Sequence, residues 1–83
     1  MTTSNRISVV AIIAQTPECA EKVNALLHDF SSVIVGRMGL PYRERGLHII
    51  SIVLDAPSTT VNALTGKLGM LSGVSAKALF SDK

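Results

Sequence analysis

The chain has 83 residues, 47% of them hydrophobic, a formal net charge of +2 and one cysteine. That length makes one small domain. Scattered basic residues at so low a net charge give no nucleic-acid footprint, and Phe30, Tyr42 and Phe80, with no tryptophan, give no base-stacking platform. A lone Cys19 closes no internal disulfide. The first six residues are polar and lack a signal-peptide pattern, and no apolar run reaches the roughly 18 residues of a membrane span, so the expected location is the cytoplasm.

Residues 7–14 are a short β-branched run and read as a buried strand. Thr16 then offers a helix cap, Pro17 suits the first turn, and Glu18 and Glu21 sit where the helix dipole favours anions. Ala20, Val23, Leu27 and Phe30 recur at three- and four-residue spacing, which predicts an amphipathic helix ending near residues 31–32. Residues 33–38 read as a second strand, and residues 39–46, rich in Gly, Pro and charge, as the turn out of it.

The third strand, residues 47–54, is the most apolar. Asp55, as a cap, and Pro57 open a second helix, whose stripe is Val61, Leu64, Leu68 and Leu71 and whose stop is Gly73. Residues 74–80 form the last strand, with residues 1–5 and 81–83 as tails. The order is βαββαβ. Right-handed crossovers give an α+β, ferredoxin-like sandwich: a four-stranded antiparallel sheet, the first and third strands central, both helices on one face.

Both faces of the central strands are apolar. Ile7, Val9, Ala11 and Ile13 oppose Ser8, Val10, Ile12 and Ala14; Leu47, Ile49, Ser51 and Val53 oppose His48, Ile50, Ile52 and Leu54. A sheet face meeting water alternates to polar residues, and large apolar patches mark interfaces. A domain this size buries only roughly 60–65% of its unfolded surface and gains from association. The expectation is a homo-oligomer, a dimer or a tetramer, through the sheet, with His48, Ile50, Ile52, Leu54, Val10 and Ile12 at the interface.

Few residues invite chemistry. Cys19 stands in a helix's first turn, where a thiolate is favoured, but has no CxxC or Cys–His partner and reads as an ordinary small helix residue. His28 lies near a helix end, where a cation is favoured. His48 opens a strand and is a weak candidate for a metal ligand shared between subunits. The segment Gly66-Lys67-Leu68-Gly69 lacks phosphate-loop spacing; glycines there suit close packing of the helix on the sheet or on a neighbour. Arg37, Arg43, Glu44, Arg45 and Lys67 are either contacts for a small anion or solvated surface charges. Neither a Ser-His-Asp nor an HExxH arrangement nor paired carboxylates occurs, so no enzyme and no cofactor are expected.

Four segments carry a family resemblance: Val23 to Ser31, Arg37-Met38-Gly39-Leu40-Pro41, Ala63-Leu64-Thr65-Gly66-Lys67-Leu68-Gly69, and Ser72-Gly73-Val74 with Lys77. Together they resemble the iron-only hydrogenase system regulators over nearly the whole chain. The resemblance implies an ACT-like fold across residues 1–83, assembly into oligomers and a regulatory role. The same fold is similar to the C-terminal domain of nickel-responsive repressors, which hold nickel through several His and a Cys. Here only His48 stands between Pro41 and Leu54, so nickel binding of that kind is not expected. The repressors' ribbon-helix-helix segment is also missing, so direct DNA binding is not expected either. ACT domains bind amino acids or similar ligands near the turn from first strand to first helix. That implies a ligand site at Gln15, Thr16, Pro17 and Glu18, although the usual glycine of that turn is absent. Three roles follow as expectations: a ligand-sensing regulatory module, an oligomeric scaffold for a partner protein, and a metal sensor.

Overall fold

The structure is a computed structural model and describes residues 4–82. Its elements are β1 (Arg6–Ala14), α1 (Pro17–Asp29), β2 (Ile34–Tyr42), β3 (Leu47–Ala56), α2 (Ser58–Gly69) and β4 (Val74–Phe80), with 3-10 turns at Ser31–Val33 and Arg43–Arg45. The order βαββαβ and the four-stranded antiparallel sheet are those expected. The strands run β2-β3-β1-β4, with β3 and β1 in the centre.

α1 begins where its sequence signals place it. Thr16 is extended, its Oγ1 accepts from the Cys19 N–H at 3.1 Å, and Pro17 follows in the first turn, where its missing N–H costs nothing. The helix stops at Asp29, short of residues 31–32, and the Phe30 N–H turns back to the Leu27 carbonyl at 3.0 Å.

α2 starts differently from the expectation. Asp55 does not cap it: it is the penultimate residue of β3 and exposed. Pro57 holds the cap position with no side-chain hydrogen bond, and its carbonyl accepts from Thr60 and Val61. The helix ends at Gly69, and Gly73, with φ +78°, turns the chain into β4.

β2 is longer than expected. Residues 39–42, read as turn, pair with β3 as far as Tyr42 opposite Leu47. Gly and Pro are poor in a central strand but tolerated at an edge, and β2 is an edge strand. The reversal is compressed into Arg43–Arg45 and Gly46, whose φ of +67° places it in the left-handed region.

The core lies between the sheet and both helices. Val10, Ile12 and Ala14 of β1, with Ile50, Ile52, Leu54 and Ala56 of β3, meet Ala20, Val23 and Leu27 of α1 and Val61, Leu64 and Leu68 of α2. Burying each of the large side chains stabilises by about 1.5–3 kcal/mol.

This arrangement corrects the expected interface. Val10, Ile12, Ile52 and Leu54 are fully buried under the helices and Ile50 is 5% exposed, so none of the five is free to meet another molecule. The open face is the other parity: Ile7, Val9, Ala11 and Ile13 of β1, Leu47, Ile49, Ser51 and Val53 of β3, Met38, Leu40 and Tyr42 of β2, and Leu79 of β4.

Ser81, expected in a free tail, is tied down. Its N–H donates to the Ile7 carbonyl at 2.8 Å, and its carbonyl accepts from Arg6 Nη2 at 2.6 Å. The same guanidinium lies 4.9 Å from the centroid of the Phe80 ring. Residues 1–3 and 83 of the expected tails lie outside the described residues. No helix among the described residues is long and apolar enough to cross a membrane.

Candidate functional site

The connection from β1 to α1 and the reversal from β2 to β3 meet at one end of the sheet. Between them lies a cavity of about 340 Å³ lined by Pro17, Pro41, Tyr42, Arg43, Gly46, Leu47 and His48. Each lining residue has a local cause. Pro17 is there because Thr16 caps α1. Pro41 and Tyr42 are there because the edge strand continues to the reversal. Gly46 in its left-handed conformation returns the chain so that His48 pairs with Pro41 and Leu47 with Tyr42.

The walls are mostly apolar. Arg43 brings a permanent positive charge, and His48, half-buried, brings a second polar group. A cavity of this make-up suits a small ligand with an apolar part and an acidic group.

The ligand residues expected from sequence are divided by the structure. Pro17 and Arg43 come together at the cavity, and His48 joins them. Gln15 and Thr16 do not line it: the Gln15 main-chain N–H donates to the Gly73 carbonyl at 2.9 Å, and the Thr16 side chain caps α1. Glu18 is exposed on the first turn of α1. Arg37 lines a different cavity, where its Nη2 donates to Asn24 Oδ1 at 2.7 Å. Lys67 stands on α2 with its Nζ 5.5 Å from the centroid of the Phe30 ring. Among the described residues no three His, Cys, Asp or Glu side chains come together in a way that could hold a metal ion.

Pro41, Tyr42, Gly46 and Leu47 are the lining residues that sequence reasoning missed. A period of two through residues 38, 40 and 42 would have placed Tyr42 on a strand face with Met38 and Leu40. Tyr42 and Leu47 also belong to the open face of the sheet. The cavity therefore borders that face. Of the nine large hydrophobic residues exposed among the described residues, Ile7, Val9, Ile13, Met38, Leu40, Tyr42 and Leu79 lie on it.

A second tie holds the β1–α1 connection in place. Cys19 Sγ donates to the Ser72 carbonyl at 3.1 Å, beside the Gln15–Gly73 hydrogen bond. The thiol thus joins α1 to the turn before β4, as a small structural group.

Comparison with known proteins settles the family. The model of the TM1266-like iron-only hydrogenase system regulator family matches residues 6–78. The chain belongs to that family. Among solved structures it is similar to the uncharacterized protein TM1266 from Thermotoga maritima. The two share 38% sequence identity over 93% of this chain and 98% of that one, with a TM-score of 0.88. The C-terminal domain of the MgtC protein from Mycobacterium tuberculosis is 15% identical, over 99% of this chain and 94% of that one. Its TM-score of 0.71 shows a shared fold and nothing more. No curated protein matches the chain.

Proposed function

We propose that this member of the family is a non-enzymatic regulatory module in the cytoplasm, a single ACT-like domain acting as a homo-oligomer that senses a small ligand. The observation that carries the reading is the junction of two surfaces. An apolar sheet face stands open, and the cavity of Pro17, Arg43 and His48 opens at its margin, with Tyr42 and Leu47 common to both.

The open face favours a second copy of the chain as its occupant. Its described charges are few, Asp55 beyond Val53 on β3 and Lys77 on β4. The rest is apolar or small, and a face with one charge of each sign can meet its own copy about a two-fold axis with little like-charge opposition. A ligand seated beside Tyr42 and Leu47 then touches the interface, so binding and assembly are linked.

Two measurements test the two halves. Sedimentation velocity should find the parent chain oligomeric and the Val9→Glu, Ile13→Glu double variant a folded monomer; a monomeric parent at tens of micromolar would sink the assembly. Thermal unfolding against free amino acids, nucleotides and divalent metals should show one class that shifts the midpoint. A ligand at 100 times its Kd adds about 2.7 kcal/mol, roughly 10 °C or more for a domain of this size. The shift should vanish in Arg43→Gln and persist in Lys67→Gln. No shift at saturating concentrations would refute sensing and leave the open face as an interaction surface alone.

A further inference from the structure

A second cavity, about 230 Å³, opens on the helix side of the sheet and shares no residue with the first. It is lined by Asn24, Leu27, His28, Ser31, Ile34 and Arg37. Asn24 and His28 are four residues apart on α1 and so lie on one face of the helix. Leu27, 1% exposed, and Ile34, half-buried, supply apolar wall. Arg37 rises from β2 opposite Ile52, which is fully buried. Its row of the sheet therefore points towards the helices.

An inward-pointing charge on an edge strand can serve simply to keep other strands away. Arg37 does more than that role requires. Its Nη2 donates to Asn24 Oδ1 at 2.7 Å, which ties the exposed guanidinium to the α1 side of the cavity. A guanidinium has five N–H donors, and among the described residues Asn24 is its one hydrogen-bond partner. The Asn24 amide, having used its oxygen, offers its NH₂ group. Ser31 offers a hydroxyl and His28 a ring nitrogen. No carboxylate lines the cavity, so the Arg37 cation stands at a solvent-open pocket of donors with no anion to answer it.

We propose that this cavity binds a small oxyanion, a carboxylate or a phosphate, two of whose oxygens meet the Arg37 fork while His28, Ser31 and the Asn24 amide complete the shell. The site does not depend on the first cavity or on assembly through the open face.

The test is an NMR titration of the full ¹⁵N-labelled chain with inorganic phosphate and, separately, with acetate. Saturable shifts are expected at the amides of Asn24, His28, Ser31 and Arg37. Arg37→Gln should weaken binding about tenfold or more, the loss of a charge-assisted pair. Asn24→Ala keeps the charge but frees the fork, and should weaken binding by less. Arg43→Gln, at the other cavity, should bind as the parent does. Saturation by either anion supports the site and names the group it prefers. The proposal is overturned if neither anion saturates, if the shifts cluster at residues 41–48, or if Arg37→Gln binds as tightly as the parent.

Discussion

Gly73→Ala should be among the more damaging single-methyl additions in this chain, and the damage should depend on Cys19. Gly73 has φ +78°, and a Cβ built there would stand 2.8 Å from Cys19 Sγ and 3.8 Å from Gln15 Cβ. Holding alanine in the left-handed region costs about 1–2 kcal/mol. Relieving the contact costs about 1 kcal/mol more, because the thiol must leave the Ser72 carbonyl it reaches at 3.1 Å. A total of about 2–3 kcal/mol lowers the midpoint by roughly 8–24 °C in a domain this small.

The assay is urea unfolding of four proteins: parent, Gly73→Ala, Cys19→Ala and the double variant. In the Cys19→Ala background the steric part disappears and only the backbone part remains, so the cycle should show a coupling of about 1 kcal/mol. An equal cost of Gly73→Ala in both backgrounds would refute the crowding. A cost below about 0.5 kcal/mol in the parent would refute the backbone part as well.

Two further changes should keep or raise stability, each followed by the urea midpoint. Gly66 lies within α2 with open space where its side chain would be, so Gly66→Ala should gain about 0.5–1 kcal/mol; a loss would mean that a second molecule sits on that flank of the helix. Ser8 is 1% exposed, and its hydroxyl finds no hydrogen-bond partner among the described residues. Ser8→Ala should therefore be neutral or gain about 1 kcal/mol, and a clear loss would reveal a partner for that oxygen.

The elements of the fold were legible because strands 1 and 3 are β-branched runs and helix 1 opens on Thr16-Pro17. Which side of the sheet faces the helices was not. In β1 the face that meets water, Ile7, Val9, Ala11 and Ile13, is wholly apolar, while the buried face carries Ser8. Residue type misleads there. β4 does alternate: Val74, Ala76, Ala78 and Phe80 turn inward, and Ser75, Lys77 and Leu79 outward. Its partners Ala14, Ile12, Val10 and Ser8 are the buried row of β1. The answer was in β4, but carrying it to β1 requires the register, which only the folded chain supplies.

Of the two packings expected of Gly66 and Gly69, the one against the sheet is not found, for a related reason. Both fall on the outer side of a stripe set by Val61, Leu64 and Leu68, and neither approaches another part of the chain. The candidate site was legible in pieces. Pro17, Arg43 and His48 were each noticed for separate reasons, but a cavity joining residues some 25 to 30 positions apart is a product of the β2–β3 reversal folding against the start of α1.

The edge strand β2 sets a bound on how such molecules can join. Its ladder slips between Ile34 and Gly36, leaving Val35 67% exposed, and Pro41 brings no N–H to either side. Another strand laid along it would meet a bulge at one end and a missing donor at the other. Growth of a continuous sheet from copy to copy is therefore interrupted on that side. If β4 edges ever join, the resulting eight strands end in two β2 edges and stop there. One bulge and one proline thus let the chain carry an apolar sheet while barring edge-to-edge growth along β2.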